Sequence, residues 1–311
     1  MTLILSLTFF SIGIVLLYFG AEYLVRGGIS LALARGIRPL VVGLTIVALG
    51  TSLPEFFVSF MGLLEGSGDI AIGNIVGSNI ANIALVLAVS AIITPVRLDG
   101  TIARVELPFV IVISVVFFLM AMGGTLSRLD GAIMVAGLLS FLLYCFRSGK
   151  DVSDGTNSAL SPHSGTLRFV LYIVAGSIGL MLGARLMVQN GIIIAQSFGV
   201  SELAIGITLI AVGTSLPELM TCIVASVKKS GDLSIGNIIG SNIFNLLFVC
   251  GIIALISPIT VAPSLLKVDI PIMLAAIMVL YPLARSKGSI GRIEGLLLLA
   301  AYSGYMYYTL A

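Results

Sequence analysis

Apolar positions in this chain come in unbroken runs rather than in amphipathic stripes. A lipid-crossing helix needs about 20 largely apolar residues. Ten runs reach or approach that length: 3–24, 39–63, 70–95, 105–122, 130–146, 167–189, 202–227, 233–257, 269–284 and 291–309. Each is predicted to be a membrane-spanning helix, because hydrocarbon leaves backbone groups no partner outside the helix itself. The first run has no basic segment before it and no small-residue cleavage site after it, so it reads as a retained helix. The most polar stretch, 147–166, is rich in Ser, Gly, Asp and Pro and reads as a linker between two halves, 1–146 and 167–311, of five helices each.

The halves repeat each other. Gly-Thr-Ser-Leu-Pro-Glu stands at 50–55 and again at 213–218, a spacing of 163 residues. At the same spacing Gly43-Leu-Thr45 matches Gly206-Ile-Thr208, and Ser67-Gly-Asp69 matches Ser230-Gly-Asp232. Gly-Asn-Ile-Val-Gly-Ser-Asn-Ile-Ala-Asn at 73–82 matches Gly-Asn-Ile-Ile-Gly-Ser-Asn-Ile-Phe-Asn at 236–245. The repeated motifs thus cover 43–82 and 206–245. Five helices per half is an odd number, so the halves are expected to cross the membrane in opposite senses. Inverted repeats with interrupted helices are a transporter pattern. The expected fold is therefore an all-α integral membrane protein of ten helices in two inverted repeats, with the second and seventh broken.

Lys and Arg placement orients it. Loops after odd-numbered helices hold 13 of these residues and loops after even-numbered helices hold only Arg128 and Lys267. The positive side faces the cytoplasm, which puts the 147–166 linker inside and both termini outside.

Composition agrees with the runs: 59% of the 311 residues are hydrophobic and 10% charged, against about 25% charged in soluble domains. The net charge of +2 and the absence of a basic tract exclude a nucleic-acid binder. Cys145, Cys222 and Cys250 lie in apolar stretches without metal-ligand spacing, and His163 sits alone in the polar linker. No Ser-His pair lies at membrane depth, which argues against an intramembrane enzyme. A repeat within one chain fits poorly with a channel filter built around an oligomeric axis.

The chemistry sits in the repeated motifs. Pro54 and Pro217 lack an N–H and push the preceding residue out of helical geometry, so carbonyls around Ala48 and Ala211 are expected to lose partners. Glu55 and Glu218 lie deepest in apolar runs, with no basic residue at matching depth; Glu22 is nearer a helix end. Both are neutral, or a mobile cation neutralises them. Ser78 and Asn82 share one helical face, as do Ser241 and Asn245; they suit both helix packing and cation ligation. The donor set is all oxygen, which fits hard cations such as Ca²⁺ and Na⁺, while Mg²⁺ dehydrates reluctantly. One divalent ion, or several Na⁺ in its place, matches the charge of two carboxylates.

These paired motifs resemble the α-repeats of the sodium/calcium exchanger family, and the resemblance spans nearly the whole chain, with the short linker of its prokaryotic members. It implies a secondary active antiporter in a prokaryotic plasma membrane that moves Na⁺ against Ca²⁺ by alternating access, with electrogenic Ca²⁺ extrusion, and with Ca²⁺/H⁺ or broader cation antiport as the alternative. It implies Glu55 and Glu218 as central Ca²⁺ ligands, with Thr51 and Thr214 adding backbone oxygens. Ser52, Ser78 and the Ala48 carbonyl would serve Na⁺ towards one side, and Ser215, Ser241 and the Ala211 carbonyl towards the other. Asn82 and Asn245 would flank the middle. Asn245 replaces the Asp of K⁺-dependent relatives, and Asn74 and Asn237 lack the Glu motif of the proton-coupled branch; both lean towards Na⁺. The first and sixth spans would slide over an eight-helix core, with Gly27-Gly28 and Asn190-Gly191 as hinge points. Expected partners are Ca²⁺, Na⁺ and the lipid bilayer, with no cofactor and a monomer as the default assembly.

Overall fold

A computed structural model describes residues 3–98, 100–148, 165–198, 211–286 and 288–310. Its helices are α1 (Leu3–Arg35), α2 (Pro39–Thr51), α3 (Leu53–Leu64), α4 (Gly68–Ile93), α5 (Ile102–Ala121), α6 (Arg128–Ser148), α7 (Thr166–Ser197), α8 (Ala211–Thr214), α9 (Leu216–Val227), α10 (Gly231–Ile256), α11 (Leu265–Ser286) and α12 (Arg292–Leu310). Seven of them are long and apolar enough to cross a membrane, and α2 and α3, bent by 42° at Ser52, make an eighth such unit. The tenth expected span is the 19-residue helix α12, which carries Arg292, Glu294 and four tyrosines. Of the seventh, 202–210 lie outside the described residues, as do 149–164 of the linker, His163 included.

Two expected boundaries move. The first span runs to Arg35 rather than 24, and the sixth to Ser197 rather than 189. Hydropathy marks where lipid ends, whereas helical hydrogen bonding continues wherever neighbouring helices still cover the backbone. Gly27-Gly28 and Asn190-Gly191 therefore lie inside continuous helix rather than at hinges. A Cβ on Gly27 would stand 2.9 Å from the Phe169 carbonyl, and Asn190 donates back to the Leu186 carbonyl at 2.8 Å. Glu22, expected near a helix end, falls well within α1.

α4 and α10 form the centre. In their most apolar stretches 78% and 83% of residues are buried, against 22–39% in the other candidate spans. Both loosen into π-helical turns, Asn82–Leu87 and Phe244–Cys250, and matching turns open α5 and α11 at Ile102–Glu106 and Leu265–Asp269. α1 and α7 pack antiparallel along a seam of glycines: Cβ atoms on Gly13 and Gly20 would lie 2.9 and 2.7 Å from the α7 backbone at Gly183 and Leu180. Such backbone-to-backbone approach is how helices adhere where no hydrophobic effect drives them together. The pair meets the rest through its own apolar cluster, in which Leu24, Val25 and Leu180 pack with Val47, Val224 and Leu233, separate from the larger core.

Two short strand pairs tie the ends together. β1 (Val96–Arg97) runs antiparallel to β4 (Ser289–Ile290), and β2 (Thr125–Leu126) antiparallel to β3 (Ile259–Thr260). β1 and β3 occupy matching places in the two halves, as do β2 and β4. The contacts thus recur with the halves exchanged. Gly131 against Gly251 and Gly295 against Ala88 repeat the rule.

Candidate functional site

The break at Ser52 sets up the first half of the site. Pro54 has no N–H to offer the Gly50 carbonyl, and Ser52 leaves helical geometry at ψ 3°. α3 then restarts with Glu55 in its first turn, where the positive end of a helix favours an acid. Ser215, at ψ 4°, and Glu218 repeat this at the start of α9. Both glutamates, Thr51, Ser52, Asn82, Ser241 and Asn245 are fully buried, and Ser78, Thr214 and Ser215 nearly so.

Hydroxyls stitch the halves together. The Thr51 hydroxyl lies 3.1 Å from Asn237 Oδ1 and 3.3 Å from Ser241 Oγ. In the mirrored position the Thr214 hydroxyl lies 3.3 Å from both Asn74 Oδ1 and Ser78 Oγ. Asn74 donates to the Glu55 carbonyl at 3.2 Å and to Ser59 Oγ at 2.9 Å; Asn237 donates to Cys222 Sγ at 3.4 Å, where Cys222 stands in the place of Ser59.

Around the carboxylates the mirror fails. Glu218 Oε1 accepts from Ser52 at 3.4 Å and Ser241 at 3.3 Å. Neither oxygen of Glu55 has a partner among the described residues, nor do Glu218 Oε2, Ser215 Oγ, Asn245 Oδ1 or the Asn82 amide. Asn245 donates to Asn79 Oδ1 at 3.2 Å. The two carboxylates lie close enough for their charges to act on each other. Buried polar atoms are seldom left unpaired, and an unpaired buried carboxylate is dearer still. An excess of unmet oxygens with no resident positive charge is what a cation binder presents. Among the described residues no three His, Cys, Asp or Glu side chains gather at one point.

The expected site residues fare unequally. Thr51, Ser52, Ser241 and Glu218 form one bonded group, and Thr214 and Ser78 another. Asn82 and Ser215 are buried but bonded to none of these. The Ala48 carbonyl, expected to be free, accepts the Ser52 N–H at 2.9 Å and the Thr51 hydroxyl at 3.2 Å. The Ser215 N–H bonds to the Val212 carbonyl. Asn74, Asn237 and Asn79 were missed as site members. The signal for Asn74 and Asn237 is spacing: 74, 78 and 82 recur every four residues, as do 237, 241 and 245.

Broken helices bearing unmet buried oxygens define a membrane transporter for cations. The comparisons carry this to a family. The family described as Sodium/calcium exchanger protein matches residues 5–147 and 168–311. The chain belongs to the sodium/calcium exchanger family. It is 35% identical to the inner membrane protein YrbG of Escherichia coli (strain K12), over 96% of this chain and 95% of that one. It is 28% identical to the sodium/calcium exchanger MaX1 of Methanosarcina acetivorans, over 95% of each. A solved structure of the sodium-calcium exchanger NCX_Mj superposes with a TM-score of 0.86 at 30% identity, covering 98% of this chain and 99% of that one.

Proposed function

We propose that this protein is a secondary active antiporter that exchanges Na⁺ for Ca²⁺, with Ca²⁺ extrusion driven by the Na⁺ gradient and net charge moved in each cycle. The observation that carries this is the pair of buried glutamates, one from each half, surrounded by hydroxyls and amides and lacking any cation of the protein's own. Glu55 and Glu218 hold Ca²⁺ between them, with the Thr51 and Thr214 backbones. Ser52 and Ser78, and Ser215, Ser241 and the Ala211 carbonyl, take Na⁺ on either side of it, flanked by Asn82 and Asn245. With asparagine at 82 and 245, the two glutamates are the site's fixed charge, which two Na⁺ balance; a third Na⁺ at neutral oxygens gives each cycle its net charge.

The frame we propose is ten spans in two inverted five-helix repeats, in a prokaryotic cell membrane. Both termini are outside and the 147–166 linker is cytoplasmic. The antiparallel α1–α7 seam and the strand pairs exchanged between halves support the inversion.

The test is ⁴⁵Ca²⁺ flux in proteoliposomes under imposed Na⁺, K⁺ or H⁺ gradients. A Na⁺ gradient drives Ca²⁺ movement in the wild type, and Glu55→Gln and Glu218→Gln abolish it. Wild-type flux in both variants would remove the site assignment. Flux driven by a pH gradient without Na⁺ would replace Na⁺ coupling by H⁺ coupling.

A further inference from the structure

The two faces that join the α1–α7 pair to the broken helices have matching sequences but different packing. Where α7 passes α3, a groove of about 500 Å³ remains, with Pro54, Phe57 and Val58 on one wall and Arg185, Val188 and Gln189 on the other. Where α1 passes α9, the matching Val25 and Thr221 are fully buried, and Pro217 is buried where Pro54 is half-exposed. One face is sealed and its counterpart is open.

Charge follows the same division. On the sealed face Lys228, at the end of α9, forms an ion pair with Glu22 of α1. Moving Glu22 forward and Lys228 back by the repeat spacing gives Arg185 and Glu65, so the open face carries the same pair with its signs reversed. Arg185 lines the groove and Glu65 caps α3; both are exposed, and no ion pair joins them. A molecule made of two like halves in unlike arrangements has a second arrangement open to it, in which the halves trade places.

We propose that Glu22–Lys228 and Arg185–Glu65 are alternating latches of the transport cycle: the first closes the face seen sealed, and the second closes the opposite face when the first has parted. This rests on the alternating-access reading above. Neither pair touches the ion site; each sets how long one access state lasts. Half-exposed ion pairs are weak, which suits a latch that must release every turnover.

The test uses cysteines at the matching positions Val58 and Thr221, introduced one at a time into a chain whose three native cysteines are replaced by alanine. Their labelling by a charged maleimide is followed on detergent-solubilised protein. V58C should label faster than T221C. Glu22→Gln or Lys228→Gln should lower the ratio of the two rates about two- to fivefold, and Glu65→Gln or Arg185→Gln should raise it by a similar factor. The swapped pair E22K/K228E should return the ratio to that of the unswapped background. The proposal is overturned if the Glu65 and Arg185 variants leave the ratio unchanged or lower it, or if the swapped pair behaves like Glu22→Gln. Labelling is read without flux. Absent Na⁺-driven flux with the labelling shifts intact would remove the antiport reading and leave the latches standing; normal flux without the shifts would do the reverse.

Discussion

Glu55 and Glu218 occupy the same place in two copies of one motif, yet among the described residues only Glu218 has donors within normal hydrogen-bond distance, Ser78 acting on Glu55 from farther off. Ser52 and Ser241 both reach Glu218 Oε1, while both oxygens of Glu55 stand without a partner at that distance. The threonine–asparagine bonds, by contrast, are the same in both halves within 0.2 Å, at 3.1 Å for Thr51 and 3.3 Å for Thr214. The scaffold of the site is therefore symmetric and its charge-bearing centre is not. One of the two bonds to Glu218, from Ser52, crosses between halves, while that from Ser241 lies within one half; identical residues thus meet different surroundings.

The largest test removes the charge itself. Glu55→Gln and Glu218→Gln should each lower Ca²⁺ affinity, measured by equilibrium ⁴⁵Ca²⁺ binding, by about a hundredfold or more, since even residues behind a metal ligand cost 10–100-fold. Equal losses would show that Ca²⁺ engages both glutamates alike despite their different donors.

Next come the asparagines. Asn74→Ala removes bonds to the Glu55 carbonyl, Ser59 and Thr214 and should cost about 2–3 kcal/mol of stability. Asn237→Ala removes the bond to Thr51 and a weak one to Cys222, and should cost about 1 kcal/mol. Thermal unfolding in detergent ranks the two; the reverse order would contradict the difference between Ser59 and Cys222.

The serines offer a finer comparison. Without ions, Ser52→Ala should destabilise by about 1 kcal/mol, because Glu218 loses a donor. Ser215→Ala, which removes an unpartnered hydroxyl, should be neutral or slightly stabilising. Added Na⁺ should then stabilise both variants less than the wild type, if both hydroxyls are ligands.

The smallest effect lies in the turns. Gly66 and Lys229 hold matching positions with φ of 75° and 58°, a left-handed conformation that glycine adopts freely and lysine does not. Lys229→Gly should stabilise by about 0.5–1 kcal/mol in the same melts.

Much of this was legible in the chain. Pro54 and Pro217 inside apolar runs marked the broken helices, and the repeat of Gly-Thr-Ser-Leu-Pro-Glu marked the two half-sites. The ends of α1 and α7 were not legible, because hydropathy falls off at the lipid boundary while helical bonding continues under cover of neighbours. Asn74 and Asn237 were passed over because a membrane asparagine alone reads as helix packing; only the four-residue spacing to Ser78 and Ser241 sets them apart. The strand pairs are two residues long and carry no pattern to detect. The inequality of Glu55 and Glu218 was beyond any reading of near-identical motifs, because it lies in how the halves are placed and not in what they contain.

The strand pairs also set a timetable. Val96 finds its partner at Ile290, so at about 5–20 residues per second of synthesis the first strand waits roughly 10–40 s for it. During that time the ends of α4 and α5 are in the membrane with nothing to fasten them. The clasp is thus among the last parts made: β4, just before α12, closes a ladder left open since β1 was made, and a chain stalled before β4 would hold most of its helices yet leave that clasp undone.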